Sequence, residues 1–442
     1  MSLKGNILPD PVLTDSDVSR AEEKLPSDEG SQLAESATLP SEFNLCSTLV
    51  LIGAFLALFC SVGFVNAFGI FQEYYSTHLL SNKSASDISW LGSFNVFCMF
   101  GTTIIVGYLN DKHGPRILLT AGSVTIVLAL FMISLCKLYY QFFLAQGLVL
   151  GLGLAFVVLP SIAVVPRYFI RHRGLAMGIV VSGSSMGGVI WPISLQHFFG
   201  SVGFEWGVRI AAFMMIPLLA FAILTIRVPV KSQTHSANDL IAQPKSNPDI
   251  YIIKNPILIL LAAGLFLVYL GLFSPFFYIT SWTVSLGLDA NMGFYMVSII
   301  NAASLFGRIL PGLWADRIGA YNIMVISAGV SGVVCMCWTE SKSIGGIVVL
   351  SLAYGFASGA VIGLQGACAS QIAKPHQYGI VMGFTMSILS IAGLIGSPIN
   401  GQLLSKWQYL GLSLFSGMAM LLGMLVLILA KLRVNPVFFG KA

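Results

Sequence analysis

Gly107-Tyr108-Leu109-Asn110-Asp111-Lys112-His113-Gly114-Pro115-Arg116 and Gly312-Leu313-Trp314-Ala315-Asp316-Arg317-Ile318-Gly319-Ala320-Tyr321 are two versions of one loop. In each, a glycine precedes an aspartate by four positions, a base follows the aspartate directly, and a second glycine stands three positions after it. The two aspartates are 205 residues apart, and the flanking glycines keep that spacing. The same offset carries Gly174-Leu175-Ala176-Met177-Gly178 onto Gly379-Ile380-Val381-Met382-Gly383, and Gly188 onto Gly393. One fixed spacing over several separate stretches marks an internal duplication, so the chain reads as two parallel repeats.

The background around these loops is apolar. Of 442 residues, 56% are hydrophobic and 9% charged, and the mean hydropathy is +0.85. A soluble domain carries about 25% charged residues, so a helical membrane protein is the class that remains. A spanning helix needs about 20 predominantly apolar residues. Twelve such runs are found, at roughly 47–71, 88–109, 117–136, 140–165, 174–197, 207–228, 256–281, 291–313, 322–339, 344–371, 378–402 and 408–431. The longest interior gap, 229–255, carries Pro229, Pro244 and Pro248 and reads as a cytoplasmic linker. The expectation is an all-α membrane protein of twelve transmembrane helices in two six-helix halves, 43–228 and 256–432, with a tail at 1–42 and a C-tail at 433–442.

Charge placement adds sidedness. Residues 1–42 hold nine acids and three bases among serines and prolines, without apolar periodicity, and read as a disordered acidic tail rather than a signal peptide. Beyond the tail the bases are dispersed between apolar spans, which excludes a polybasic nucleic-acid surface. With the N-terminus inside, the inner connections and C-tail hold fifteen Lys and Arg residues and the outer ones five. The positive-inside rule then places both termini in the cytoplasm. Trp90, Trp206, Trp282, Trp338 and Trp407 fall near the outer interface, as an aromatic belt does. Asn82-Lys83-Ser84 in the first outer loop is a glycosylation sequon, with Asn82 the acceptor. The seven cysteines lie in or beside apolar segments, as reduced packing cysteines do.

The residues able to carry chemistry are few. Outside the tail there are nine acids, none mid-span, and the six histidines lie at span ends or in loops. A proton relay, a metal site, a cofactor or enzyme chemistry is therefore not expected. Arg308, eight residues before Asp316, lies inside the inner half of the eighth span. A cation there costs about 2.5–3.5 kcal/mol on insertion scales unless paired or facing a cavity. It can grip a solute carboxylate, or it can snorkel or be braced by a carbonyl. Asn66, Asn95, Gln146, Asn301, Gln365 and Asn400 are amides within apolar runs. They line a midplane cavity in one reading and bond helix to helix in the other. Asp111 with Arg116, and Asp316 with Arg317, read as a gate that latches the inner face against Arg167, Arg171 or Arg173.

The doubled glycine-aspartate-base-glycine loop resembles the signature of the major facilitator superfamily. Gly63-Phe64-Val65-Asn66-Ala67-Phe68-Gly69-Ile70-Phe71-Gln72-Glu73-Tyr74-Tyr75, Arg173 to Gly178, and Asn301 to Arg308 are similar to the fungal branch of its monocarboxylate-porter family. That resemblance implies transport of carboxylates or riboflavin-like vitamins, or export of secondary metabolites. The chain departs from the family at Pro40-Ser41-Glu42-Phe43, where Pro-Asp-Gly-Gly is usual. It also has Asn66 where animal members carry a proton-linked lysine, and Ser304 four residues before Arg308 in place of an aspartate. Phe143 stands where the superfamily's fourth-helix arginine would be.

The expected function is alternating-access transport of a small organic solute, a monocarboxylate-like acid or a fungal-type metabolite, facilitated or weakly coupled. Export is favoured over uptake of a carboxylate or vitamin, and a nutrient sensor is a third reading. The expected setting is the plasma membrane, with the lipid bilayer as surroundings and a monomer as the transport unit.

Overall fold

The computed structural model describes residues 42–229 and 250–437. The acidic tail up to residue 41, most of the linker and the end of the C-tail lie outside the described residues. Within the described residues the chain is helical, without strands. In the first half, α1 is Leu45–Leu79, α2 runs as Ala85–Gly101 and Thr103–His113, α3 is Pro115–Ile133 and α4 is Tyr139–Arg167. The helical stretch Arg173–Thr225 contains one non-helical residue, Gly203 (φ 80°, ψ 169°), which separates α5 (173–202) from α6 (204–225). In the second half, α7 is Pro256–Ser285, α8 Ala290–Ile318, α9 Ala320–Met336 and α10 Ile344–Ile372. Tyr378–Val434 is divided by Gln408 (φ 56°, ψ −157°) into α11 (378–407) and α12 (409–434). Nine of the described stretches are long and apolar enough to cross a membrane. Two of these hold two helices each, and Ala320–Met336, at 17 residues, is shorter. The twelve runs of the sequence are thereby accounted for.

The duplication is visible in backbone geometry. Gly203 and Gln408 turn the chain at positions 205 apart. Gly114 (φ 83°) and Gly319 (φ 112°) stand at the same spacing, immediately before α3 and α9. Only a residue without Cβ takes these φ values freely, so the second glycine of each loop lets two antiparallel helices join through a single residue. The α1 helix is interrupted around Asn66–Ala67 and α7 at Phe273, within two residues of the repeat spacing. At its start α1 has a capping box, in which Asn44 Oδ1 accepts from Ser47 N at 2.9 Å and Ser47 Oγ accepts from Asn44 N at 3.0 Å.

Within the halves, α1 lies against α5 and α6, and α7 against α11 and α12. Between the halves, α2 packs on α11 and α5 on α8. A Cβ built on Gly107 would lie 2.2 Å from the Gly379 carbonyl oxygen, and one on Gly312 2.5 Å from that of Gly174. The first glycine of each loop thus lets an α2 or α8 backbone touch its partner helix directly. The tryptophans divide: Trp90, Trp206 and Trp407 are exposed as a belt requires, whereas Trp282 and Trp338 are buried against Tyr409. Those two pack the interior and do not form part of a belt.

Candidate functional site

The two loop aspartates reach across the halves. Asp111 at the end of α2 accepts from the backbone N–H groups of Gly379 (3.0 Å) and Ile380 (2.8 Å) at the start of α11. Asp316 at the end of α8 accepts from those of Gly174 (2.6 Å) and Leu175 (2.9 Å) at the start of α5. Each carboxylate satisfies two of the free N–H groups at a helix N-terminus and sits at the positive end of its dipole. The Asp111 side chain is fully buried, and Arg167 Nη2 lies 3.3 Å from its Oδ1. Arg116 and Arg317 are exposed, so the cation on Asp111 comes from the end of α4 and not from the adjoining loop. Arg173 donates to the Tyr378 hydroxyl at 3.4 Å and lies over its ring, and these two residues are themselves 205 apart. Together the contacts tie the two halves to each other in two equivalent places.

Further along α8 a polar seam crosses the same interface. Arg308, 5% exposed, donates from Nη1 to the Val181 carbonyl of α5 at 2.8 Å and to the Ser184 hydroxyl. Its Nε is buried without a partner. Among the described residues no carboxylate lies within ion-pair distance of it. The Ser184 carbonyl accepts from Asn66 Nδ2 at 3.3 Å, and Asn66 and Asn301 both close on Gly188. Asn301 Nδ2 returns to Val297 of its own helix at 3.1 Å. Asn66 is exposed at the interruption of α1. An exposed amide in the middle of a span fits an aqueous cavity better than hydrocarbon.

Beside the seam, α2, α7, α10 and α11 leave a narrow recess lined by Val96, Phe100, Tyr269, Phe273, Gln365, Leu389 and Gly393. Its polar edge is Tyr269, whose hydroxyl donates to Gln365 Oε1 at 2.9 Å, leaving the Gln365 amide protons uncommitted. Tyr269 also lies close enough to Arg308 for the two to interact electrostatically. A Cβ on Gly393 would meet nothing within 4 Å, so this glycine forms an open wall.

Of the amides expected to line a cavity, Gln365 borders the recess, and Asn66 and Asn301 border the seam. Asn95 and Gln146 lie elsewhere. Gln146 sits in a π-helical stretch of α4, Phe143–Leu150, and its backbone carbonyl accepts from Asn95 Nδ2 at 2.6 Å. Its side chain accepts from the Tyr75 hydroxyl at 2.7 Å. Tyr75 opens a second π-helical stretch, Tyr75–Leu79, so this network joins α1, α2 and α4 inside the first half. Tyr269, Phe273 and Ser184 were not singled out from the sequence, because an aromatic or serine inside an apolar run carries no mark of facing a cavity. Asn82 lies in an exposed turn between α1 and α2, and no group of metal ligands occurs among the described residues.

Two six-helix halves joined by repeated contacts around a polar seam fit the architecture of a membrane transporter. The Major Facilitator Superfamily profile matches residues 50–397 and again 302–439, and the chain belongs to that family. It is a multi-pass membrane transporter of small solutes, not an enzyme. It is 57% identical to the agnestins efflux protein of Paecilomyces divaricatus, over 93% of this chain and 94% of that one. It is 39% identical to the aspyridones efflux protein of Emericella nidulans, over 85% of this chain and 75% of that one. The fold matches the crystal structure of the human organic anion transporter MFSD10 (TETRAN) with a TM-score of 0.66 at 18% identity, covering 88% of this chain and 100% of that one. The Escherichia coli fucose:proton symporter matches with a TM-score of 0.67 at 12% identity, covering 87% and 98%.

Proposed function

We propose that this transporter exports a small organic anion or weakly acidic secondary metabolite across the plasma membrane by alternating access, as a monomer with both termini in the cytoplasm. The observation that carries the anionic reading is Arg308: a buried guanidinium at the seam between the halves, held by a carbonyl and a hydroxyl, with no carboxylate partner among the described residues. Neutral acceptors satisfy its protons without neutralising its charge, and a solute carboxylate or phenolate supplies the missing countercharge. Asn66, Asn301 and Gln365 then hold the oxygen-rich parts of the solute, and the recess beside Tyr269 takes an apolar portion. The recess is narrow in this state, so a bulky solute binds in a more open one, with the latches of Asp111 and Asp316 as the gate. Efflux is supported by the names of the two fungal relatives, and the monocarboxylate-porter branch by the stretches at Gly63–Tyr75 and Asn301–Arg308.

The test is export of candidate organic acids from cells expressing the protein, with Arg308→Ala and Arg308→Lys alongside. Loss of export with unchanged membrane abundance supports the docking role, and Lys should restore little because it lacks the bidentate fork. Export by Arg308→Ala at the wild-type rate would remove the arginine from the site. Net uptake down the same gradient, with no efflux, would overturn the direction.

A further inference from the structure

The turn between α4 and α5 is gripped from two sides. Glu42, which the sequence assigns to the tail, places its carboxylate on three consecutive backbone N–H groups: Ile170 at 3.1 Å, Arg171 at 2.8 Å and His172 at 3.2 Å. Its Oε2 also lies 3.1 Å from His172 Nδ1, and the Glu42 side chain is only 17% exposed. Consecutive amides converging on one carboxylate form an anion nest. Phe43 seals the contact against the rings of Phe169 and His172, with centroids 5.2 and 5.4 Å away. The Glu42 carbonyl accepts from Ser47 Oγ, which binds this segment to the first turn of α1. Burial alone would raise the Glu42 carboxyl, but the hydrogen bonds from Arg171, His172 and Ile170 outweigh it and hold the group below the ordinary carboxylate value.

The next amides along the chain belong to the latch. Gly174 and Leu175, the second and third residues after His172, donate to Asp316 of the other half. Five amides between Ile170 and Leu175 are therefore held by two carboxylates, one from the N-terminal segment and one from α8. The corresponding turn before α11 is organised differently, since Gln377, one of its own residues, accepts from Lys374 N at 3.2 Å. One latch rests on a self-contained turn and the other on a turn shaped by residues 42–43.

We propose that Glu42 is a positioning residue for the α5–α8 latch, so that the N-terminal segment forms part of the gate. By fixing residues 170–172, it presents the Gly174 and Leu175 amides to Asp316 each time the halves close. The inference rests on reading the latch as a gate, and Asp316→Asn tests that reading separately.

The experiment uses the full-length protein with a reporter at Met177, which is 1% exposed and packs on α10 near Gly366. Alkylation of Met177→Cys is followed by mass spectrometry at that residue, alone and with Glu42→Ala, Glu42→Gln or Asp316→Asn. Loss of charge-assisted bonds is expected to speed labelling about tenfold in Glu42→Ala and roughly threefold in Glu42→Gln. Maximal transport rate should fall with KM unchanged, and Glu42→Asp should recover part of it. If Asp316→Asn speeds labelling and neither Glu42 variant does, the positioning role is refuted; if Asp316→Asn also fails, the gate reading falls first. Should Glu42→Ala not accumulate, Glu42→Gln decides alone, because it keeps the shape and one acceptor oxygen. Wild-type labelling and rate in that variant overturn the proposal.

Discussion

Replacing Asp111 by asparagine should open the latch end. An asparagine keeps one acceptor oxygen and turns an NH₂ toward the second amide. In each latch, one of the two backbone bonds (3.0 and 2.8 Å for Asp111, 2.6 and 2.9 Å for Asp316) is lost. A hydrogen bond to a charged group contributes about 1.5–3 kcal/mol, and the interaction of the charge with the helix N-terminus about 0.3–1 kcal/mol more. The two terms sum to about 2–4 kcal/mol of weakened closure in Asp111→Asn, in which Arg167, with its side chain 14% exposed, also loses its countercharge. At about 1.4 kcal/mol per factor of ten, a closed state favoured roughly a hundredfold becomes comparable in population to the open one. Spin labels at the exposed positions Lys112 and Lys374 flank the α2–α11 latch, in a background with the exposed Cys46 and Cys337 replaced by serine. Double electron–electron resonance should show one short distance in the parent and a second, longer population in Asp111→Asn. A single unchanged distance in a folded Asp111→Asn protein would falsify the latch energetics.

Other expectations follow from particular residues. Gln408 holds backbone angles that are nearly glycine's alone, while its counterpart in the repeat is Gly203; Gln408→Gly should stabilise the protein by about 1–2 kcal/mol in thermal unfolding, and an unchanged Tm would show the turn to be unstrained. Gly393→Val fills open space in the recess, so it should reduce transport of bulky solutes with Tm nearly constant; equal transport of large and small solutes would place binding elsewhere. Gly107→Ala drives a Cβ to 2.2 Å from the Gly379 carbonyl and should cost about 1–3 kcal/mol with loss of transport, measured by thermal unfolding and flux. Because the folded Glu42 carboxyl lies below its ordinary value, its contribution is present above the unfolded pKa and is lost only as pH falls through the folded one. Acidification of the solution on the Glu42 side from about 7.5 to 6 should therefore leave Glu42 ionised and on its three amides, and Met177→Cys labelling should not change over that range.

The fold was legible because the duplication writes itself twice. Asp111 and Asp316, Gly114 and Gly319, and the glycines of α5 and α11 keep one spacing in sequence and equivalent places in space. The apolar runs match the helices to within five residues at every end but one, since α1 continues to Leu79 where the apolar run ends at 71. The site was legible only where a residue type is costly in its surroundings: Arg308 and Asn66 declare themselves because charge and amide are rare inside a span. Side chains that act through the backbone leave no such mark. Glu42 read as one more acid of the tail because its partners are peptide N–H groups, which every residue has. The Arg167 partner of Asp111 was one of several bases on the same face, and chain proximity favoured Arg116. Asn95 and Gln146 could not be separated from cavity-lining amides, because a π-helical carbonyl that needs a donor is a feature of conformation and not of composition.

Arg173 and Tyr378 occupy equivalent places in the two repeats and touch each other. A position that contacts its own counterpart lies on the pseudo-two-fold axis, and there perfect symmetry forces like to meet like. Two guanidinium groups in that place would repel, whereas a guanidinium over a phenol ring attracts. On this axis an arginine in both repeats would weaken the packing of the halves. Arginine in one copy is compatible with the contact because the other copy has tyrosine there, and restoring identity with Tyr378→Arg would set the halves against each other at their centre.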